Sequence, residues 1–352
     1  MHIINTVLLS FGMSGRVFHA PFIQLHQGYK LKGVLERTKQ ASLQFYPTIH
    51  IYRSLEEVLQ DEAVELVVVN TPTNTHYEFT KRALLAGKHV VVEKAFTTTV
   101  EEAIELKELA ALKNLTLSVY QNRRWDSDYS TVKKIVADGL LGEIVEAAFH
   151  FDRYNENLSP KQHKEIPGPG AGLLNDLGPH LIDQALHLFG MPQAVFADIR
   201  TIRFISQVDD YFSILLYYTD KRVIVKSSIL VKETIPAFVV HGTKGSFLKV
   251  RGDIQEAALV ANQLPIGENW GEEPAAMMGL FNTTIDGKAI RENIPTLPGN
   301  YGAYYKLIYQ AITNNTPPPV TPQDGINVMR IIEAARKSSG EGKRILIGSS
   351  YS

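Results

Sequence analysis

The chain contains no cysteine. Disulfides, thiolate metal sites and a cysteine nucleophile are thereby excluded, and the composition fits a reducing compartment, so a cytoplasmic location is expected. A dominant charge sign is missing too: 36 Lys and Arg stand against 37 Asp and Glu, a formal net charge of −1. Neither nucleic acid nor an anionic membrane is therefore expected as a partner. No run approaches the ~20 apolar residues that a membrane-spanning helix needs. The opening stretch, MHIINTVLLSFGM, lacks a basic segment and its apolar run ends at a glycine turn, so a signal peptide is not expected. No fixed-period repeat is present, and Pro317–Pro319 is the one biased tract. What is there is an ordinary globular composition, 44% hydrophobic and 21% charged over 352 residues, enough for two domains with substantial cores.

The first apolar run, Ile3–Leu9, has the Ile/Val/Leu content of a strand buried on both faces. SFGMSG follows at once. In a G-x-G-x-x-G phosphate turn the three slots fall on Ser10, Gly12 and Gly15, with Met13 and Ser14 between the last two. The second glycine of that turn lets backbone approach a pyrophosphate and the third allows close helix–strand packing. Gly12 and Gly15 keep those roles, whereas Ser10 replaces the glycine of the tight turn. The following helix N-terminus would aim N–H groups and the positive dipole end at phosphate.

A second strand, Tyr29–Glu36, ends in Glu36, at roughly the distance (about 20 residues on) where an acidic residue meets ribose hydroxyls. Arg37 and Thr38 come next, and an arginine there suits a 2′-phosphate, so both NAD and NADP stay open. Ser54, with Glu57 three residues on, marks a helix start. Strands at Glu65–Val69, His89–Val92 and Thr116–Tyr120 alternate with helices at His76–Leu85 and Val100–Leu112. That alternation predicts an α/β domain with a parallel sheet covered on both faces. Ligands bind such sheets beyond the carboxyl ends of the strands. The rule gathers Gly12, Glu36, Asn70-Thr71-Pro72, Glu93-Lys94 and Gln121-Asn122-Arg123 on one rim. Lys94 directly follows a buried strand there. Partly desolvated, it would donate to a substrate oxygen or balance its negative charge; the plainer alternative is an exposed loop lysine. His19 and His76 read as structural or as backbone-bonding neighbours of the nucleotide.

The stretch PGPGAGLLNDLGPHLIDQALHLF, ending at Phe189, is a Gly/Pro loop running into a helix that begins near Gly178-Pro179. Leu181, Ile182, Ala185, Leu186 and Phe189 share one face. Asp176, His180, Asp183 and His187 share the opposite face, if the helix extends back to Asp176. A carboxylate one turn from a histidine orients the ring and raises its basicity, as a general base near neutral pH requires. By pattern alone, a solvated polar face explains the same spacing.

Taken together these residues identify a resemblance to the Gfo/Idh/MocA oxidoreductases. It spans essentially the whole chain and is carried by the glycine turn with His19-Ala20-Pro21, Thr71-Pro72 with His76, Ala86-Gly87-Lys88-His89-Val90 leading to Glu93-Lys94, and the Gly172…Asp176…His180 block. Arg123-Arg124-Trp125-Asp126 and Asn175-Asp176-Leu177-Gly178-Pro179-His180 are most similar to the branch holding NADP-linked scyllo-inositol dehydrogenases. The resemblance implies a Rossmann nucleotide-binding domain, here residues 1–122. It also implies a substrate-binding and oligomerisation α/β domain, 123–352, with an open, mostly antiparallel sheet. It further implies a catalytic lysine at Lys94, an orienting aspartate at Asp176 and a proton-transferring histidine at His180. Ala95 departs from the family pattern, which has proline after the lysine.

In the second half, helix Ser127–Asp138 and strands Ile144–Arg153, Ala194–Ile205, Tyr211–Tyr218, Arg222–Leu230 and Ala237–His241 fit that outline. Asp152, Arg153 and Tyr154 end the first of these, where Arg153 and Tyr154, with Arg123 and Trp125, would meet a polyhydroxylated substrate. Gly252–Asn300, rich in Gly, Pro and Asn, reads as an irregular surface excursion or lid. Tyr301, Tyr304 and Tyr305 suit a sugar site, although aromatic residues at helical spacing usually pack. A homodimer or homotetramer through the second sheet is expected.

The function expected is hydride transfer between NADP or NAD and a secondary alcohol of a sugar or cyclitol. The nucleotide's pyrophosphate would lie on Gly12–Gly15. Three other readings compete: a cofactor-binding regulator without chemistry, a family member that holds NAD tightly and runs a non-oxidative reaction, and a metal enzyme built on the Asp176–His187 stripe. The last is weakest, because four ligands on one straight helix cannot surround one ion, so no metal is expected.

Overall fold

A computed structural model describes residues 2–160 and 162–348. They form two compact units. The first takes the chain as far as Trp125 together with Gln255–Trp270 and Asn300–Ile326; the second takes Asp126–Ile254, Gly271–Gly299 and the chain from Asn327 onward. A single cut between 122 and 123 does not describe this arrangement, because two later stretches return to the first unit.

Six strands build the first unit's sheet: β1 (Ile4–Leu8), β2 (Tyr29–Leu35), β3 (His50–Tyr52), β4 (Leu66–Val69), β5 (His89–Glu93) and β6 (Leu117–Tyr120). All pair in parallel, in the order β3-β2-β1-β4-β5-β6, the doubly wound order of a Rossmann fold. Every residue of β4 and β6 is buried, as expected of strands covered on both faces. Helices between them carry the caps their sequences promise. Ser54 Oγ accepts from Glu57 N, and Thr99 forms a reciprocal capping box with Glu102. β3 has no counterpart among the expected strands: it has three residues, too few for a hydrophobic period to show.

The second unit holds a nine-stranded sheet: β7 (Ile144–His150), β8 (Ala194–Arg200), β9 (Tyr211–Tyr217), β10 (Arg222–Ser228), β11 (Phe238–Gly242), β12 (Gly245–Lys249), β13 (Gly279–Ile285), β14 (Lys288–Ile294) and β15 (Ile345–Leu346). Its order is β14-β13-β12-β11-β7-β10-β9-β8-β15, and every pairing except β7 with β10 is antiparallel. Strict alternation in β9 buries Phe212, Ile214 and Leu216 on one face. Those residues join Leu181, Ile182 and Ala185 of the helix Gly178–Phe189 in one apolar cluster, all of them fully buried. Each buried Leu or Ile there contributes about 1.5–3 kcal/mol relative to exposure.

The 252–300 stretch is not an irregular lid. Gln255–Val260 is a helix of the first unit, and β13 and β14 form a hairpin that extends the second sheet. β14 is largely exposed, so its polar sequence carries no apolar alternation. A buried ion pair anchors this region: Lys249 Nζ lies 2.6 Å from Glu273 Oε2, with both side chains at most 1% exposed. Lys249 also donates to the Val250 and Met277 carbonyls, and Ser127 Oγ donates to Glu273 Oε1. Burial nonetheless holds the Glu273 carboxyl above its ordinary range. Among the described residues no helix is long and apolar enough to cross a membrane.

Candidate active site

The turn after β1 is held from inside. Ser10 Oγ accepts from Gly12 N at 3.2 Å, so the residue in the first-glycine slot closes the turn with its side chain. Asn70, at the end of β4, donates to the Ser10 carbonyl at 2.8 Å. A Cβ on Gly15 would stand 2.3 Å from Ser10 O and 2.8 Å from Asn70 Nδ2, so nothing larger than glycine fits. Gly12 differs. A Cβ there would meet only Ser10 Oγ, at an ordinary 3.5 Å, and the residue is exposed beside exposed Met13 and half-buried Ser14. Among the described residues nothing excludes a side chain at Gly12; a ligand lying on the backbone would. Asn70 Oδ1, an acceptor, is buried with no hydrogen-bond partner among the described residues. The open backbone at Gly12 fits a pyrophosphate.

At the end of β2 the Glu36 side chain is buried, and its two oxygens accept from Ala41 N, Ser42 N and Ser42 Oγ at 3.0, 3.0 and 2.5 Å. The carboxylate expected to reach a ribose is thus turned into its own loop. Arg37 and Thr38 are exposed.

Around β5 a frame of imidazoles surrounds the Lys94 backbone. His19, fully buried, has Nδ1 2.6 Å from Tyr305 Oη and Nε2 3.1 Å from Glu93 Oε1. Glu93 Oε2 accepts from Lys94 N at 3.2 Å. Desolvation works against the Glu93 carboxylate, but His19, Lys94 and His76 outweigh it and hold its pKa below the ordinary range. His76 lies 2.9 Å from the Thr71 carbonyl through Nε2 and 2.8 Å from the Ala95 carbonyl through Nδ1. A neutral ring donates to one of them at a time. Burial lowers its pKa, partly offset by those carbonyls. Pro72 O accepts from Thr75 N and Oγ1, closing the turn after β4. Lys94 itself is half-buried, and the Lys94–Ala95 peptide bond is cis. The His19–Glu93 link had one sequence signal, the His19-Ala20-Pro21 triplet. Its Tyr305 partner, far along the chain, had none.

At the end of β6, Asn122 is buried and opens a helical turn through Trp125. Arg123 reaches Glu256 Oε2 at 2.5 Å, and the Trp125 ring packs edge-on against Tyr304 at 5.4 Å. Both contacts tie the first unit's own segments together. Tyr301, Tyr304 and Tyr305 are fully buried within that unit, so they pack its core and line no sugar site.

In the second unit the Asp176–His187 stripe is not one helix. A short helix, Leu173–Asp176, ends at Leu177 before the helix Gly178–Phe189 begins. Asp209 caps the short helix: its carbonyl accepts from Leu173 N and its Oδ2 from Leu174 N, both at 2.7 Å. Burial raises the Asp209 pKa. Gly172 precedes it at φ 89°, where a Cβ would sit 2.4 Å from Asp209 Oδ1. Lys164 pairs with Asp176 Oδ1 at 2.7 Å. Nor is the polar face solvated: His180, Asp183 and Gln184 are all buried. His187 is committed elsewhere, with Nδ1 2.7 Å from Tyr129 Oη. Among the described residues no three His, Asp or Glu side chains gather as a metal set. A cavity of about 570 Å³ in this unit is lined by Arg153, Tyr154, Lys164, Asp176, Arg203 and Asp209 among others. Arg203 holds the loop before it, donating to Asp210 Oδ2, the Asn157 carbonyl and Glu165. Lys164, Arg203 and Asp209 were missed by sequence reasoning, since their partners are set by loop closure and follow no local period.

Comparison with known proteins adds to this geometry. Residues 4–121 match the family described as "Oxidoreductase family, NAD-binding Rossmann fold", and residues 133–347 its "C-terminal alpha/beta domain". Scyllo-inositol 2-dehydrogenase (NADP(+)) IolW of Bacillus subtilis is 38% identical over 344 residues, covering 98% of this chain and 96% of that protein. A Bacteroides fragilis protein of known crystal structure is 46% identical, with TM-score 0.91 over 98% of this chain and 100% of that one. An Agrobacterium radiobacter oxidoreductase, solved with NAD+, L-tartaric acid and magnesium, shares the fold at TM-score 0.82 and 16% identity.

Proposed function

We propose, for a chain that belongs to the Gfo/Idh/MocA oxidoreductase family, reversible hydride transfer between a nicotinamide nucleotide and a secondary alcohol of a sugar or cyclitol. The observation that carries the reading is Lys94: a half-buried ammonium-bearing residue at the carboxyl end of β5, its backbone framed by Glu93 and His76. When bound, the nicotinamide accepts or returns hydride. Lys94 fixes the reacting oxygen and balances its negative charge. His180 takes the hydroxyl proton, and Asp176 orients that ring or holds a neighbouring hydroxyl. Arg153 and Tyr154, in the cavity that Asp176 also lines, suit the remaining hydroxyls. Likeness to a scyllo-inositol dehydrogenase supports the polyol class.

Both oxidised cofactors crossed against inositols, aldoses and their keto or lactone forms test this, read by nicotinamide absorbance. At least one polyol is expected to be oxidised. His180→Ala should lower turnover about 10²–10⁴-fold with cofactor affinity nearly intact. Equal loss of both would make His180 structural and refute its catalytic role. Self-association through the second sheet belongs to the same reading, supported by exposed Phe196 on β8. A monomer by sedimentation at micromolar concentration refutes that part.

A further inference from the structure

Three side chains from distant parts of the sequence meet inside the first unit and end at the main chain of Lys94. His19, which closes the helical turn begun by Gly15, is fully buried, its ring 4.4 Å from that of Tyr120. Its Nδ1 lies 2.6 Å from Tyr305 Oη and its Nε2 3.1 Å from Glu93 Oε1. The other Glu93 oxygen accepts from Lys94 N at 3.2 Å. Tyr305 is itself held: the Tyr29 hydroxyl, on β2, donates to its carbonyl at 2.9 Å and pins the helix Gly302–Asn314 to the sheet. No step of the proposed reaction uses His19 or Tyr305.

The chemistry of these groups gives the contacts a direction. Against desolvation, His19, Lys94 and His76 hold the Glu93 carboxyl below its ordinary range, so near neutral pH it is ionised and only accepts. The proton at His19 Nε2 follows from that. Burial pushes the Tyr305 hydroxyl well above its usual range, so it keeps its proton and donates to Nδ1. We infer that Tyr305 and His19 are positioning residues. A hydrogen-bond chain from the Tyr305 hydroxyl through the His19 ring, Nδ1 accepting and Nε2 donating, aims the Glu93 carboxylate, which fixes the strand end that carries Lys94. Misplacing a reacting group by about 1 Å costs on the order of 10²-fold in rate, and a long side chain magnifies any shift of its own main chain. The inference rests on the proposed reaction for its kinetic readout, whereas the direction of the chain is read without turnover.

Nitrogen-15 NMR of the full chain near pH 8 reads that direction, with the His19 signals assigned by their loss in His19→Gln. The proton is expected on Nε2 with Nδ1 bare, and Tyr305→Phe should move chiefly the Nδ1 shift. A proton on Nδ1 of the wild-type ring overturns the inference. On a polyol that the cofactor screen shows to be oxidised, His19→Leu should lower kcat about 10–100-fold and leave KM and nucleotide Kd within about threefold. His19→Gln, whose amide N–H stands in for Nε2–H, should recover most of that loss. In a Lys94→Ala background His19→Leu should cost nothing further, because no ammonium is left to aim. The same fold-loss in that background, as a merely structural role would give, overturns the inference. If the wild-type chain oxidises no polyol, the proposed reaction falls and the position of the ring proton alone decides the inference.

Discussion

Replacing the two glycines of the β1 turn one at a time should separate holding the fold from holding the nucleotide. At Gly15 a methyl would lie 2.3 Å from the Ser10 carbonyl oxygen, which Asn70 holds at 2.8 Å. Ordinary contact needs roughly 1 Å more, so the turn must shift against its own hydrogen bond. Gly15→Ala should therefore cost about 1–3 kcal/mol of stability. At Gly12 the nearest atom is Ser10 Oγ at 3.5 Å, and the backbone is not left-handed. Gly12→Ala should leave stability unchanged or raise it by about 0.4–1 kcal/mol, through the lower entropy of the unfolded chain. Its methyl, however, occupies the space where a pyrophosphate meets the backbone, so affinity should fall about 10–100-fold. Thermal melts without nucleotide and fluorescence titration with NADPH and NADH measure the two effects. A Gly12→Ala variant that binds both nucleotides with unaltered Kd refutes the placement of the phosphates. One that melts as low as Gly15→Ala refutes the steric argument.

The buried Lys249–Glu273 pair gives a second prediction: K249M or E273L alone should destabilise by about 3–5 kcal/mol, and the double variant by less, because neither leaves a lone buried charge when both are gone. Denaturant midpoints of the three variants decide it, and a double variant worse than either single one refutes it. The third concerns pH. Burial holds His76 below its ordinary value of 6.5, and His89 and His26 likewise. Below pH 6.5 the unfolded chain binds protons that the folded chain does not, so stability present above that pH is lost as pH falls through the folded-state values. His76→Asn should flatten part of this acid limb below pH 6.5. An unchanged slope in urea midpoints against pH would exclude His76 as a contributor.

Which features were legible follows from where their causes lie. β4, β5 and β6 announce themselves because strands covered on both faces are mostly apolar, and β9 because one covered face forces alternation. β14 faces water almost everywhere, so no apolar rhythm reveals it. The glycine turn was readable since its chemistry is local, even with Ser10 in place of glycine. Glu36 shows the opposite case. Its type and spacing match a ribose ligand, yet whether its oxygens are available depends on Ala41 and Ser42, whose main-chain N–H groups carry no sequence signature. His180, Asp183 and His187 share the helix Gly178–Phe189, but Asp176 ends a separate short helix that Asp209 caps, and Tyr129 engages His187. The burial of Tyr301, Tyr304 and Tyr305 required knowing that their segment comes back to the first unit.

That return has a consequence for biosynthesis. The Tyr305 hydroxyl meets His19, and the Tyr304 hydroxyl meets Ser118 on β6, so the first sheet's packing stays unfinished until the segment ending at Ile326 has left the ribosome. The second unit's strands β7 to β14 are all translated in the interval. A nascent chain arrested after residue 122 should consequently remain protease-sensitive, although it already contains every strand of the parallel sheet.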